Sequence, residues 1–278
     1  MTASLLALTA AASAGVADFL AARAARRLAV TLVAAWAQTV GIAVCVLACF
    51  VTGGGDLSLR DAGMAALAGV AMAIGISALY GSLAIGPIGV TAPVAAVSGA
   101  AVPVLAAAIL GESLARGQSY GLLLGLVAIP LLAHAPADAS QPQRPARGIA
   151  IALLAGLGIG GFTILLDVTP AAAGLWPVVV ARVAAALVLW ITAAAGRSMR
   201  APDRSDWALL VPCGVLDGLA VAAFLLALHG GNLAIVAVLA AFYPAATIAL
   251  AMLIDRERLR PIQWAGLLAA AAAIAMII

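Results

Sequence analysis

Ionisable side chains set inside long apolar runs are the positions in this chain best placed to do chemistry. Three stand out: Asp18, Arg182 and Asp217. A charge held at the centre of a lipid-facing helix costs about 2.5–3.5 kcal/mol on insertion scales, which makes such residues functional candidates. Asp217 can bind a cation or carry a proton. Arg182 can grip a carboxylate, or lock Asp217 in a buried ion pair. The two readings overlap if a substrate breaks the pair. Asp18 is the second proton or cation candidate; its plainer reading is a helix-end charge within reach of Arg23. Four aromatic residues join the set. Trp36, Tyr80, Phe242 and Tyr243 offer ring faces that attract cations and hydroxyls that orient a small organic substrate. Each serves equally well as a packing residue. Phe242 and Tyr243 also precede Pro244, whose missing N–H frees a carbonyl and permits a kink, a cavity wall or a gate. The expected substrate-binding set is therefore Trp36, Tyr80, Arg182, Asp217, Phe242 and Tyr243, with Asp217 and Asp18 as the proton or cation site.

Catalysis needs a tighter constellation than this. His134 and His229 lie far apart at the ends of apolar runs. Cys45, Cys49 and Cys213 sit inside apolar segments without metal-ligand spacing and read as packed thiols. The chain has no GxxxxGK[ST] loop for a nucleotide. It has no continuous basic stripe for nucleic acid. No enzyme, metal or cofactor is expected, and the partners are a small-molecule substrate, the lipid bilayer and protons.

The elements that must position these residues follow from composition. Of 278 residues 66% are hydrophobic and 9% charged, where a soluble domain has about half and a quarter. Such a chain needs lipid as its solvent. Spans are expected near 3–21, 29–51, 62–83, 89–110, 118–134, 149–166, 174–195, 207–228, 233–254 and 262–278. The run Ser4–Ala22 has no basic stretch before it and reads as the first span, not a cleaved signal. The short alternating segments of a β-barrel are absent, so the expected fold is an all-α integral membrane protein of ten transmembrane helices. Trp176, Trp207 and Trp264 fall at span ends, as interface anchors do.

Residues 136–148 (PADASQPQRPARG) break the apolar pattern near mid-chain and read as a linker between 1–135 and 149–278. The two parts repeat at an offset of 145 residues. Asp61 falls on Asp206, Gly69 on Gly214, Gly86 on Gly231, Glu112 on Glu257, Gln118 on Gln263 and Gly121 on Gly266. Five crossings per copy return the second copy to the membrane upside down, giving an inverted-topology repeat. Arginine follows the inversion. Arg23, Arg26, Arg27, Arg144, Arg147, Arg197, Arg200, Arg204, Arg256, Arg258 and Arg260 fall on one side, and Arg60 and Arg116 on the other. The positive-inside rule puts the first group in the cytoplasm of a bacterial-type inner membrane, with both termini outside. The repeated Glu112 and Glu257 read as residues that close short loops.

The segment 227–268, ALHGGNLAIVAVLAAFYPAATIALAMLIDRERLRPIQWAGLL, resembles the closing part of an EamA-type repeat of the drug/metabolite transporter superfamily. The matching positions are Pro244, Glu257 and Gly266, and in the first copy Glu112 and Gly121. The first copy has Gly99 where the second has Pro244, and Pro103 one turn later. Gly15 and Phe19 match the family's opening motif, with Ala14 at its usual Trp. The resemblance implies ten helices, a cavity between the copies, and transport of small metabolites, often outward. The function expected is a secondary transporter, an exporter of small metabolites such as amino acids or organic cations, working by alternating access at a midplane cavity. The alternative is a channel or a lipid-flipping accessory protein; a channel would need a continuous polar lining.

Overall fold

A computed structural model describes residues 1–85, 88–134, 145–196, 199–254, 256 and 260–278. Gly86, Arg144, Arg197, Glu257, Arg258 and most of the expected linker lie outside the described residues. Eleven α-helices are seen among them: α1 (Thr2–Ala24), α2 (Val30–Val51), α3 (Leu59–Ile85), α4 (Ile88–Ile109), α5 (Arg116–Leu132), α6 (Pro145–Asp167), α7 (Trp176–Ala195), α8 (Arg204–Gly230), α9 (Leu233–Ala240), α10 (Tyr243–Ile254) and α11 (Pro261–Ile277). α9 and α10 are two halves of one span. Eight spans are long and apolar enough to cross a bilayer, and α5 and α11 are shorter apolar helices of 17 residues. The chain is thus an all-α, multi-pass membrane protein with ten spans in two inverted five-span copies. α6 begins at Pro145, inside the stretch read as linker. Proline suits a first turn, because the N–H it lacks has no partner there.

The helices pack across the copies more than within them. α1 lies on α8 as α6 lies on α3. α2 lies on α8 as α7 lies on α3. α4 crosses α6 as α9 and α10 cross α1, while α2·α7 and α5·α11 are the self-paired contacts. Exchanging the two copies leaves this set unchanged, so an approximate two-fold axis relates them.

Lipid gives helices no hydrophobic reason to associate, so close approach between small residues must hold them. The repeated glycines do this in symmetric pairs. A Cβ on Gly121 would come within 3.0 Å of Ala273 O and Met276 Cβ; one on Gly266 would come within 3.0 Å of Leu131 Cβ and 2.9 Å of Leu132 N. Leu131 and Leu132 are the 145-offset mates of Met276 and Ile277. Likewise Gly69 abuts the backbone of Ala181, and its mate Gly214 abuts Val40 and the Ala37 carbonyl. The glycine matches in the sequence therefore mark helix crossings.

The loops are closed by short polar locks. Asn232 caps α9 by accepting from the Ala234 and Ile235 amides at 3.0 and 3.3 Å. Glu112, from the α4–α5 loop of the other copy, accepts from the Leu233 amide at 3.2 Å. Glu112 thus closes a helix end in the opposite copy, not its own loop. At the start of α8, Asp203 accepts from the Ser205 and Asp206 amides. Arg200 binds Asp203 and Asp206 and donates to the Arg27 carbonyl at 3.1 Å, which ties the α7–α8 loop to the α1–α2 loop.

Candidate functional site: a cavity on the two-fold axis

The crossings leave a cavity of about 250 Å³ between the copies. Its lining comes in repeat-related pairs: Asp18 with Thr163, Met72 with Asp217, and Leu79 with Phe224. The cavity therefore straddles the two-fold axis, while two of the pairs are ionisable on one side only, Asp18 in the first copy and Asp217 in the second. Symmetry sets the place and asymmetric substitution sets the chemistry.

Exposure grades along its depth. Phe162 and Phe224, in the final turns of α6 and α8, are 6% and 8% exposed. Their rings stack at 6.4 Å with 12° between planes and form a dry floor. Asp18, in the last two turns of α1, is exposed and marks the open end. That end lies on the side of the arginine-rich α1–α2 and α7–α8 loops.

Arg182 lies behind the cavity wall, 2% exposed. Its Nη2 donates to Asp217 Oδ2 at 2.8 Å and to the Asp217 carbonyl at 2.6 Å, and its Nη1 donates to Gln38 Oε1 at 3.0 Å. Room for the guanidinium comes from Gly41 on α2, where any Cβ would strike Nη1. Asp217 remains 27% exposed to the cavity. The pair is a strut joining α7 to α8, with one carboxylate face left open to a ligand. Gln38 lines the cavity too and links α2 to the strut.

The cavity gathers Asp18, Tyr80, Asp217 and Tyr243 from the expected set. It does not gather Trp36, Phe242 or Arg182. Trp36 packs edge-on between Trp190 and Trp207, with ring centroids 4.9 and 4.7 Å apart. Phe242 is 4% exposed and faces Gly125 of α5. Arg23 sits over the Phe19 ring at 4.9 Å, and among the described residues Asp18 makes no hydrogen bond or ion pair. Sequence reasoning missed Gln38, Phe162 and Phe224. Gln38 had a usable signal, an amide in an apolar span one residue past the repeat mate of Arg182. The two phenylalanines had none, because a lone ring in a span has no preferred face in the sequence.

Two inverted copies around a largely apolar cavity with a few polar groups on their common axis define a transporter-type membrane fold. The sequence profile of the EamA-like transporter family matches residues 1–133 and again 146–278. The chain belongs to the EamA-like transporter family. A solved structure described only as "Crystal structure of protein" superposes with a TM-score of 0.81 at 18% identity, covering 99% of this chain and 97% of that one. At that identity the likeness speaks for the fold alone. No curated protein matches the chain.

Proposed function

We propose that the protein is a secondary transporter that exports small organic metabolites by alternating access from the arginine-rich, cytoplasmic side of an inner membrane. The observation that carries the reading is the cavity on the two-fold axis, dry and aromatic at one end and open beside Asp18 at the other. An inverted repeat can exchange the conformations of its two copies, which would close the open end and open the closed one. A channel would need polar lining through both faces, and the Phe162–Phe224 floor argues against one. Asp217 takes part in cargo binding through its open face, with Arg182 and Gln38 as positioning residues. Protons are the coupling ion of this proposal.

Counterflow in proteoliposomes tests it. Vesicles preloaded with unlabelled amino acids, amines or organic cations should draw in the matching labelled compound. Asp217→Asn, matched for folded protein, should slow the exchange. Absence of counterflow for every compound by well-folded protein would overturn the transport reading, and full exchange by Asp217→Asn would overturn the role of that residue. A reporter at the C terminus should signal outside the cytoplasm; a cytoplasmic signal would reverse the orientation.

A further inference from the structure

Among the described residues the cavity lining contains two carboxylates and no basic side chain. Asp217 is already met by Arg182, whose two terminal nitrogens donate behind the wall to Asp217 and Gln38. Asp18 is exposed in the cavity and, among the described residues, has neither hydrogen bond nor ion pair. The cavity thus holds one carboxyl group, that of Asp18, with no counter-ion among the described residues.

A second source of negative potential lies on the lining of the same cavity. The ninth span breaks between Ala240 and Tyr243. Pro244 has no N–H to offer Ala240 four residues back. The Phe242 amide turns to Leu239 O at 3.2 Å and the Ala245 amide to Phe242 O at 2.9 Å. The Ala240 carbonyl therefore lacks its i+4 donor, and the Ala245 amide, the i+4 donor to Ala241, bonds Phe242 O instead. Both residues line the cavity. α1 packs against α9 and α10, and Thr247 fastens them by donating to Gly15 O at 2.9 Å, one turn before Asp18. The equivalent helix of the first copy, α4, runs unbroken from Ile88 to Ile109, so the break belongs to one wall only. The C-terminal end of a half-helix carries partial negative charge and, in broken-helix transporters, receives cations.

We propose that Asp18 and the carbonyls at Ala240–Ala241 form a subsite for the protonated amine of the cargo, so that the protein carries organic amines lacking a free carboxylate. This rests on the transport reading of the same cavity. The rings of Tyr80, Tyr243, Phe162 and Phe224 suit an apolar or aromatic body. A carboxylate on the cargo would meet the unpaired Asp18, and the only cation near the wall, Arg182 among the described residues, is already paired with Asp217, which disfavours amino acids and acids alike.

Labelled phenethylamine binding to the purified full-length protein tests the subsite, with phenylalanine and phenylacetate as competitors of the same ring size. Phenethylamine should bind, and both competitors should be weaker by about tenfold or more, as for loss of a charge-assisted contact. Asp18→Asn should weaken phenethylamine by about tenfold, and Asp18→Glu should retain binding. Pro244→Ala returns an amide for the Ala240 carbonyl and should also weaken binding, although it leaves every carboxylate in place. If Asp18→Asn does not fold, the competition series and Pro244→Ala decide. Equal or tighter binding of phenylalanine or phenylacetate, or unchanged binding by folded Asp18→Asn, would overturn the amine subsite and leave the transport reading intact. Failure of counterflow for all compounds would overturn both.

Discussion

Removing Asp217 should cost more than removing Arg182, and the reason is their unequal burial. Arg182 is 2% exposed and Asp217 27%. Asp217→Asn leaves a guanidinium stranded in the helix packing. Breaking a buried pair from one side costs about 3–5 kcal/mol. The lower end applies here, because Gln38 Oε1 and the Asp217 main-chain carbonyl still accept from Arg182. Arg182→Met leaves the carboxylate, which can take water from the cavity, and methionine refills much of the volume. Its cost should be near the low end for a lost charged hydrogen bond, about 1.5 kcal/mol. The double variant has neither stranded charge and should recover at least half the loss of Asp217→Asn, so the cycle should show a coupling of about 3 kcal/mol. Unfolding by SDS titration in mixed micelles reads all four proteins. A cost below about 0.5 kcal/mol for Asp217→Asn, or a larger cost for Arg182→Met, would refute the stranded-charge reasoning.

Three further outcomes follow from the packing. Gly266→Val places a side chain against the Leu132 backbone nitrogen, 2.9 Å from the Cβ position, and should lower stability by about 1–3 kcal/mol in the same titration. Phe224→Ala removes half of the ring stack with Phe162 and should raise entry of thiol reagents into the cavity from the arginine-poor side, measured by labelling of a cysteine introduced at Ala14. The Asp203 carboxyl is held below the ordinary carboxylate range, first by the Ser205 hydroxyl and then by the Asp206 amide. A lowered folded-state value means its stabilisation is present above the unfolded-state value and fades as pH falls through the folded one. Melting in neutral and acidic buffers should therefore show a smaller acid-side loss for Asp203→Ala than for the parent.

Composition and span length made the ten-span fold legible, because lipid leaves the backbone few alternatives. The duplication was legible because Gly69, Gly121, Gly214 and Gly266 sit where a Cβ would collide with a neighbouring helix, so chemistry with a purpose survived in both copies. Pro244 announced the broken span correctly, since a missing N–H acts locally. The cavity was harder to read. Whether a residue faces the axis depends on helix rotation, and the weak patterning of spans that are apolar on every side carries little of that information. Asp18, Tyr80, Asp217 and Tyr243 reach the cavity, whereas Trp36 turns into a tryptophan cluster. Glu112 was legible as a structural residue, but in sequence it reads as closing its own loop, because its partner Leu233 in the opposite copy lies 121 residues away along the chain.

Access to the cavity from each face tests the account most directly. All three native cysteines are buried and free, so a variant with each replaced by alanine can carry one cysteine at Ala14 in the cavity lining. Membrane-impermeant thiol reagents applied separately to inside-out and right-side-out vesicles should label it from both faces, with cargo shifting the ratio. Labelling from one face alone, whatever the cargo, would make the cavity a closed pit and contradict alternating access.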